Sequence, residues 1–257
     1  LQRVLRTPLD ASFIGRQSFF ALPVDPRRWA LGSLRGVRML FQGKYTDQVA
    51  AMMKKRPYFD TIRELDPEFK RATQAIENHV EGVSKRVAGP EEAVFTDDEA
   101  FVNRFLLAIP GVGHAIMRSS DSFSVGLAAM RYYIGEQLYV LGKRAGRSSE
   151  EIAEDLKVIT HLSGRGSLGA AEGAAGEISQ LLWAPRWLAS RIQVPLDVLT
   201  KSGHARMLAV RGLFGGAGLT ASILGMAKLA GADIELNPTS ANWGKMKIGP
   251  SRMDVTA

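Results

Sequence analysis

Apolar residues recur along this chain at spacings of three and four, the mark of helices that bury one side. Asp25-Pro26 caps and opens the first such segment, whose predicted apolar stripe is Ala30, Leu34, Val37 and Phe41. Asp66-Pro67 repeats the device ahead of Phe69, Thr73, Ile76, Val80, Val83 and Val87, and Gly89-Pro90 stops that helix. Its other side is densely charged, so it is expected to extend away from the core. Thr96-Asp97-Asp98-Glu99 forms a capping box for a helix over 101–109, closed by Pro110-Gly111. A long helix is predicted from Asp121, carrying Phe123, Leu127, Met130, Ile134, Leu138 and Leu141. Ser148-Ser149-Glu150-Glu151 caps another, with Ile152, Leu156 and Ile159 on one side. Pro185 opens a helix through Leu199 in which Pro195 should produce a kink or break. Residues 204–230 read as a further helix ending at Gly231, and 245–248 with 252–255 could pair around Gly249-Pro250. The expected fold class is all-α: a multi-helix bundle with long helices and a small C-terminal β-hairpin.

Residues 42–66 and 88–96 are the expected breaks between packed units. The division that follows is an N-terminal basic segment with helices over 1–90 and a helical body over 91–257. The body holds a glycine-rich turn, a small-residue helix and an extended C-terminal segment. The chain opens at Leu1 inside a basic stretch and stops abruptly at Ala257, so it reads as a fragment of a longer polypeptide.

A hydrophobic share of 46% against 23% charged residues describes a folded chain, not a disordered one. With no cysteine, disulfides and thiolate metal sites are excluded. His79, His114, His161 and His204 lie too far apart for a local ligand pair, and no metal or other cofactor is expected. The net charge of +7 is uneven. Residues 1–60 hold eleven Lys/Arg against four Asp, residues 61–180 thirteen against eighteen acids, and residues 181–257 nine against four. Basic ends of this kind suit nucleic acid, anionic lipid or acidic subunits, and equally suit solvated faces.

Gly164-x-Gly166-x-x-Gly169 matches a dinucleotide-binding fingerprint. That chemistry needs a strand feeding the turn and an acid about twenty residues on. Here a capped helix precedes it, so the favoured reading is an interhelical turn that lets Ala170-Ala171 and Ala174-Ala175 pack closely. A nucleotide-binding enzyme domain on this turn stands as the alternative, as does a non-specific DNA-binding module in residues 1–60. Ser167 is no hydrolase elbow, because Arg165 occupies the glycine position. Acid pairs such as Asp97-Asp98 and Glu150-Glu151 sit where they complement helix dipoles, and no catalytic residue is assigned.

The sixteen residues between Arg211 and Lys228 carry no charge. As a helix they span about 24 Å, short of the roughly 30 Å of a hydrocarbon core. Gly212 and Gly216, then the ladder Ala217, Ala221 and Gly225, would let helix backbones approach closely, in a bundle, a subunit contact or a membrane. Trp183, Arg186, Trp187 and Arg191 form an aromatic and cationic cluster suited to an interface. Trp243, Lys245 and Arg252, with Lys247, give the closing segment the same character.

Taken in order, these islands resemble an associated domain of large polyvalent proteins of tailed phages. The similarity begins with Leu9-Asp10-Ala11-Ser12 and Arg16-Gln17, and continues through Gly111-Val112, Arg118 to Phe123, and Met130-Arg131. It then takes in Thr160 with 164–169, which resembles a Thr-Gly-Arg-Gly turn whose approach is altered here by His161-Leu162-Ser163. Ala184-Pro185-Arg186 with Ala189-Ser190-Arg191 resembles a Ser-Pro-Arg…Ala-Ser-Arg box in which Ala replaces the first Ser. The tail from Trp243 to Asp254 resembles a Phe-Gly-Lys-Ile and Asn-Thr-Arg segment, with Pro250-Ser251 in place of Asn-Thr. The resemblance implies an internal virion or ejection protein, located in the head interior or portal region and then, after ejection, in the host envelope or cytoplasm. It implies a non-enzymatic structural role in genome delivery, self-association into a homo-oligomer, and portal or ejection proteins as partners. Contact with DNA and with a host membrane also falls within that role.

Overall fold

The computed structural model describes residues 18–80, 112–170 and 185–254, apart from 238, 241, 249 and 250. Among these the chain is mostly helical: α1 Pro26–Phe41, α2 Gly43–Lys54, α3 Phe59–Leu65, α4 Pro67–Ala72, α5 Gln74–Val80, α6 Val112–Arg144, α7 Ser149–Leu162, α8 Pro185–Thr200 and α9 Gly203–Leu229. A short 3-10 turn, Phe19–Ala21, precedes them. Three short strands follow, β1 Asp233–Ile234, β2 Lys245–Ile248 and β3 Ser251–Asp254, paired antiparallel in that order. The hairpin register sets Lys247 opposite Arg252 and Ile248 opposite Ser251, so β3 begins one residue earlier than the pattern suggested, and β1 adds an edge.

Three of the predicted caps form among the described residues. Asp25 accepts from the Arg28 backbone N–H at 3.0 Å and Asp66 from that of Phe69 at 2.7 Å, each before a proline in the first turn. Ser148 and Glu151 close a reciprocal capping box, which satisfies two otherwise orphaned donors. α9 ends as expected, with Gly231 at φ 89° taking the left-handed conformation that suits glycine.

α6 is the central helix, and from Val125 to Ile134 it is buried on all sides. One side of it, with Val125, Ala129 and Tyr132, packs against Met39, Met53, Phe59, Phe69 and Ile76. Another, with Leu127, Met130 and Ile134, packs against Val158, Leu162, Val194 and Leu208. Residues from both sides of position 90 share these cores, so packing runs across the expected division. Residues 42–66, expected as a break, instead form α2 and α3 and fill the first cluster.

Four further expectations change. The apolar stripe of α1 is reversed: Leu34 and Phe41 are exposed, while Gly32, Ser33, Gly36 and Met39 are buried. A Cβ on Gly32 would lie 2.5 Å from Met130 Cβ, so the absent side chain lets α1 lie directly on α6. The helix opened by Pro67 is not continuous to 87. It turns at Thr73, whose hydroxyl donates to Phe69 O (2.9 Å) and accepts from the buried Arg63 Nε (3.1 Å). Nor does it extend away, since Phe69 and Ile76 are fully buried; residues 81–87 lie outside the described set. α6 begins at Val112, not at Asp121, and of the kink or break expected at Pro195 the break does not occur, since α8 is one helix through it. The capping box at 96–99 and the helix over 101–109 lie outside the described residues.

Candidate functional site

The glycine-rich turn is built by α7 running into it. Gly164, at φ 80°, reverses the chain, its N–H donating to His161 O at 2.9 Å and the Arg165 N–H to Thr160 O at 3.1 Å. The chain then lies against the first turns of α8. The Gly166 N–H donates to Arg186 O at 2.8 Å. Gln193 brackets the next residue, accepting from the Ser167 N–H (2.9 Å) and donating to Ser167 O (2.8 Å). A Cβ on Gly166 would collide with the Ser190 backbone nitrogen and lie 2.7 Å from Ala189 C. The islands at 164–169 and 185–191 are therefore two halves of one junction, joined backbone to backbone. A helix, α7, feeds the turn where a dinucleotide site requires a strand.

Beside this junction lies a polar cleft of about 190 Å³, including its open mouth, lined by Glu68, Arg71, Thr160, Arg165, Ser167 and Arg186. Its enclosed space is about 10 Å³, room for about one water, against the roughly 300–1,000 Å³ of ordinary small-molecule sites. Arg165 and Arg186 are buried. Behind the cleft, His161 on α7 ties α4 to α8: its Nδ1 lies 2.6 Å from Asp197 Oδ2 and its Nε2 3.3 Å from Glu68 Oε2. Lys157 Nζ sits 3.7 Å from Glu68 Oε1. With both ring nitrogens held by carboxylates, the imidazole is placed as a charged bridge. Burial alone would depress its pKa; hydrogen bonds to Asp197 and Glu68 outweigh this and raise it above 6.5. The bond from His161 holds the Glu68 carboxyl down at about 2, against burial and with help from Lys157.

Stability should therefore peak in mildly acidic solution. His161 gains its proton more readily folded than unfolded, so its contribution is complete below 6.5 and fades as pH rises through its folded value. Glu68 is the reverse: its contribution is complete above 4.5 and fades as pH falls toward 2. Thermal melts followed by circular dichroism should show a maximum between these limits. His161→Gln should flatten the decline on the alkaline side; an unchanged profile in that variant would contradict the bridge.

The predicted interface residues separate into inward and outward sets. Arg186 lies in the junction. Arg191 covers both Trp187 (4.7 Å) and Phe20 (4.5 Å), fastening α8 to the N-terminal turn. Gly212 and Gly216 serve the chain's own packing: a Cβ would meet Leu162 and Phe20 O at the first and the Phe20 ring at the second. Ala217, Ala221 and Gly225 are exposed, as is Trp243. Lys245 donates to Asn242 Oδ1 at 3.3 Å, and Arg252 lies in β3. Trp183 lies outside the described residues.

Sequence reasoning missed the Glu68–His161–Asp197 bridge, whose members sit singly in three distant segments. It also missed an exposed stripe on α8, Leu188, Ile192, Leu196 and Leu199, which was legible as spacings of four, four and three. Comparison with protein-family models, curated proteins and solved structures returns no match.

Proposed function

We propose that the chain is a non-enzymatic assembly segment of a tailed-phage internal virion or ejection protein, which self-associates and helps to deliver the genome. The observation that carries the assembly role is the α8 stripe. Its four large apolar side chains are 40–74% exposed, while the opposite side of the same helix is buried as Arg186, Ser190, Val194 and Asp197. A one-sided stripe of this width is what a helix presents to a neighbouring helix, and burying each such side chain contributes about 1.5–3 kcal/mol. The order of the sequence islands supports the viral setting, and the backbone-to-backbone use of the glycines supports a structural role for them.

Three observations weigh against the alternatives. The nucleotide reading lacks its strand, and the neighbouring cleft is small. Of the eleven cations on which the DNA reading leans, at least three are occupied within the chain: Arg28 on Asp25 and Gln137, Arg38 over Tyr45, and Arg56 on Glu136.

Sedimentation of the chain should give a discrete oligomer, and Ile192→Asp with Leu199→Asp should return it to monomer with helix content intact. The dissociation constant should rise by about a hundredfold or more, from the apolar burial lost. A wild-type chain that stays monomeric at high concentration sinks the assembly role. Purified virions whose mass spectra lack its peptides sink the viral setting.

A further inference from the structure

A second exposed apolar surface, besides the α8 stripe, is the distal half of α9. Gly216 is the last buried residue of that helix; from 217 to 229 every residue is exposed or half-buried. Those residues make about three and a half turns and about 20 Å; Thr220, Leu224 and Ala227, on one side, are half-buried, and the positions around the rest of the axis are exposed. Phe214 and Met226 are each 64% exposed and Leu229 is 90% exposed, with Leu219 and Ile223 at 37%. A helix whose uncharged surface is bare over most of its circumference calls for apolar surroundings just as broad. One neighbouring helix, which is what the α8 stripe fits, covers a single side.

Charge identifies those surroundings further. In the hairpin of α8 and α9 the sole carboxylate is Asp197, and it is buried on His161. The exposed charges of α9 are Arg206, Arg211 and Lys228, all cationic, with the last two at the two ends of the uncharged stretch. Apolar flanks closed by long cationic side chains match the acyl region and the headgroups of an anionic membrane, since such side chains can reach back to the interface. α9 as a whole, 27 residues, is long and apolar enough to cross a membrane by length and composition, but its uncharged part covers only about 24 Å of the roughly 30 Å core, and a sheet carrying Asp233, Lys245 and Lys247 follows at once.

We infer that the distal half of α9 inserts into the outer acyl region of an anionic membrane, lying beneath the headgroups with Arg211 and Lys228 turned up to them. The assignment rests on the delivery role proposed above for its setting, and on α9 alone for its chemistry.

The chain has no cysteine, so a single probe can be placed cleanly. An environment-sensitive fluorophore on Ala221→Cys should brighten and shift to the blue when phosphatidylglycerol-containing vesicles are added, while one on Glu150→Cys should not respond. Binding to pure phosphatidylcholine vesicles should be roughly tenfold to a hundredfold weaker, the effect of the two interfacial cations Arg211 and Lys228. Ile223→Asp with Met226→Asp should abolish vesicle binding without lowering the melting temperature, because neither side chain is in a core. Absence of vesicle binding by the folded chain would overturn the inference. So would a probe at 221 that is already blue-shifted without lipid, because further copies of the chain would then cover α9. Vesicle binding that persists in the Ile192→Asp, Leu199→Asp chain supports the lipid contact whatever becomes of self-association. Binding that is lost there, with the probe at 221 unresponsive, overturns it.

Discussion

Gly166→Ala is expected to destabilise the chain by about 3 kcal/mol or more, the upper end of the range for overpacking a close contact. The added methyl would strike the backbone of α8 at Ser190 and Ala189, and backbone cannot swing aside as the tip of a side chain can. Relief requires the turn and α8 to separate, which strains the Gly166 N–H bond to Arg186 O and the paired bonds from Gln193. Gly218→Ala is the matching control. It lies mid-helix in α9 with nothing within 4 Å of its Cβ position, so it should stabilise by about 0.5–1 kcal/mol through helix propensity alone. Urea unfolding of both variants separates the readings of the glycines. Equal and small effects would mean that Gly166 is not a spacer, and the junction would need another explanation.

That contrast also explains how much of the architecture was legible in the sequence. Caps and stops are local chemistry, so Asp25-Pro26, Asp66-Pro67, the box at Ser148 and the end at Gly231 all read correctly. What failed was the choice of buried face wherever small residues make it. On α1 the hydrophobic pattern pointed to Leu34 and Phe41, yet the side that meets α6 is Gly32, Ser33, Gly36 and Met39. Close approach of backbones rewards the absence of a side chain, and a scale of side-chain hydrophobicity gives that no weight. The turn at Thr73 was hidden for a different reason: Arg63, ten residues earlier, supplies the donor that makes the hydroxyl useful there.

The junction was half legible. Its glycines stood out as a motif, and the Pro185 to Arg191 island stood out as another, but no spacing rule links them. The link is one backbone bond, from Gly166 to Arg186, and two from the Gln193 side chain, formed only once α7 and α8 are side by side. Glu68, His161 and Asp197 were invisible for the same reason, each a lone titratable residue among many. The exposed surfaces were legible in pattern but not in state. The uncharged run before Lys228 reads identically whether buried or bare, and only the packing of Phe20 and Leu162 near its start shows where cover ends.

Arg131→Met should cost about 2–4 kcal/mol, the balance of orphaned acceptors against a relieved buried charge. Arg131 is 1% exposed on the central helix. Its Nε donates to Ser163 Oγ at 2.7 Å, its Nη2 to Ser163 O at 2.9 Å and its Nη1 to Ala72 O at 3.2 Å. One planar group thus joins α6 to the end of α4 and to the exit of α7, where neither carbonyl belongs to a continuing helix. Methionine nearly fills the volume and removes the cost of burying a cation, which offsets part of the loss. It supplies no donor, however, so Ala72 O and Ser163 O lose this partner, at about 1–3 kcal/mol for each left buried and unpaired. Arg131→Lys should recover little, because an ammonium cannot reproduce the fork that reaches both carbonyls. The position of the damage is as informative as its size. Ser163 immediately precedes Gly164, so amide exchange should accelerate across 164–167 before it does so in α1 or α2. Uniform acceleration across the chain, or a cost below about 1 kcal/mol, would show that Arg131 does not anchor the junction from which α8 and α9 take their direction.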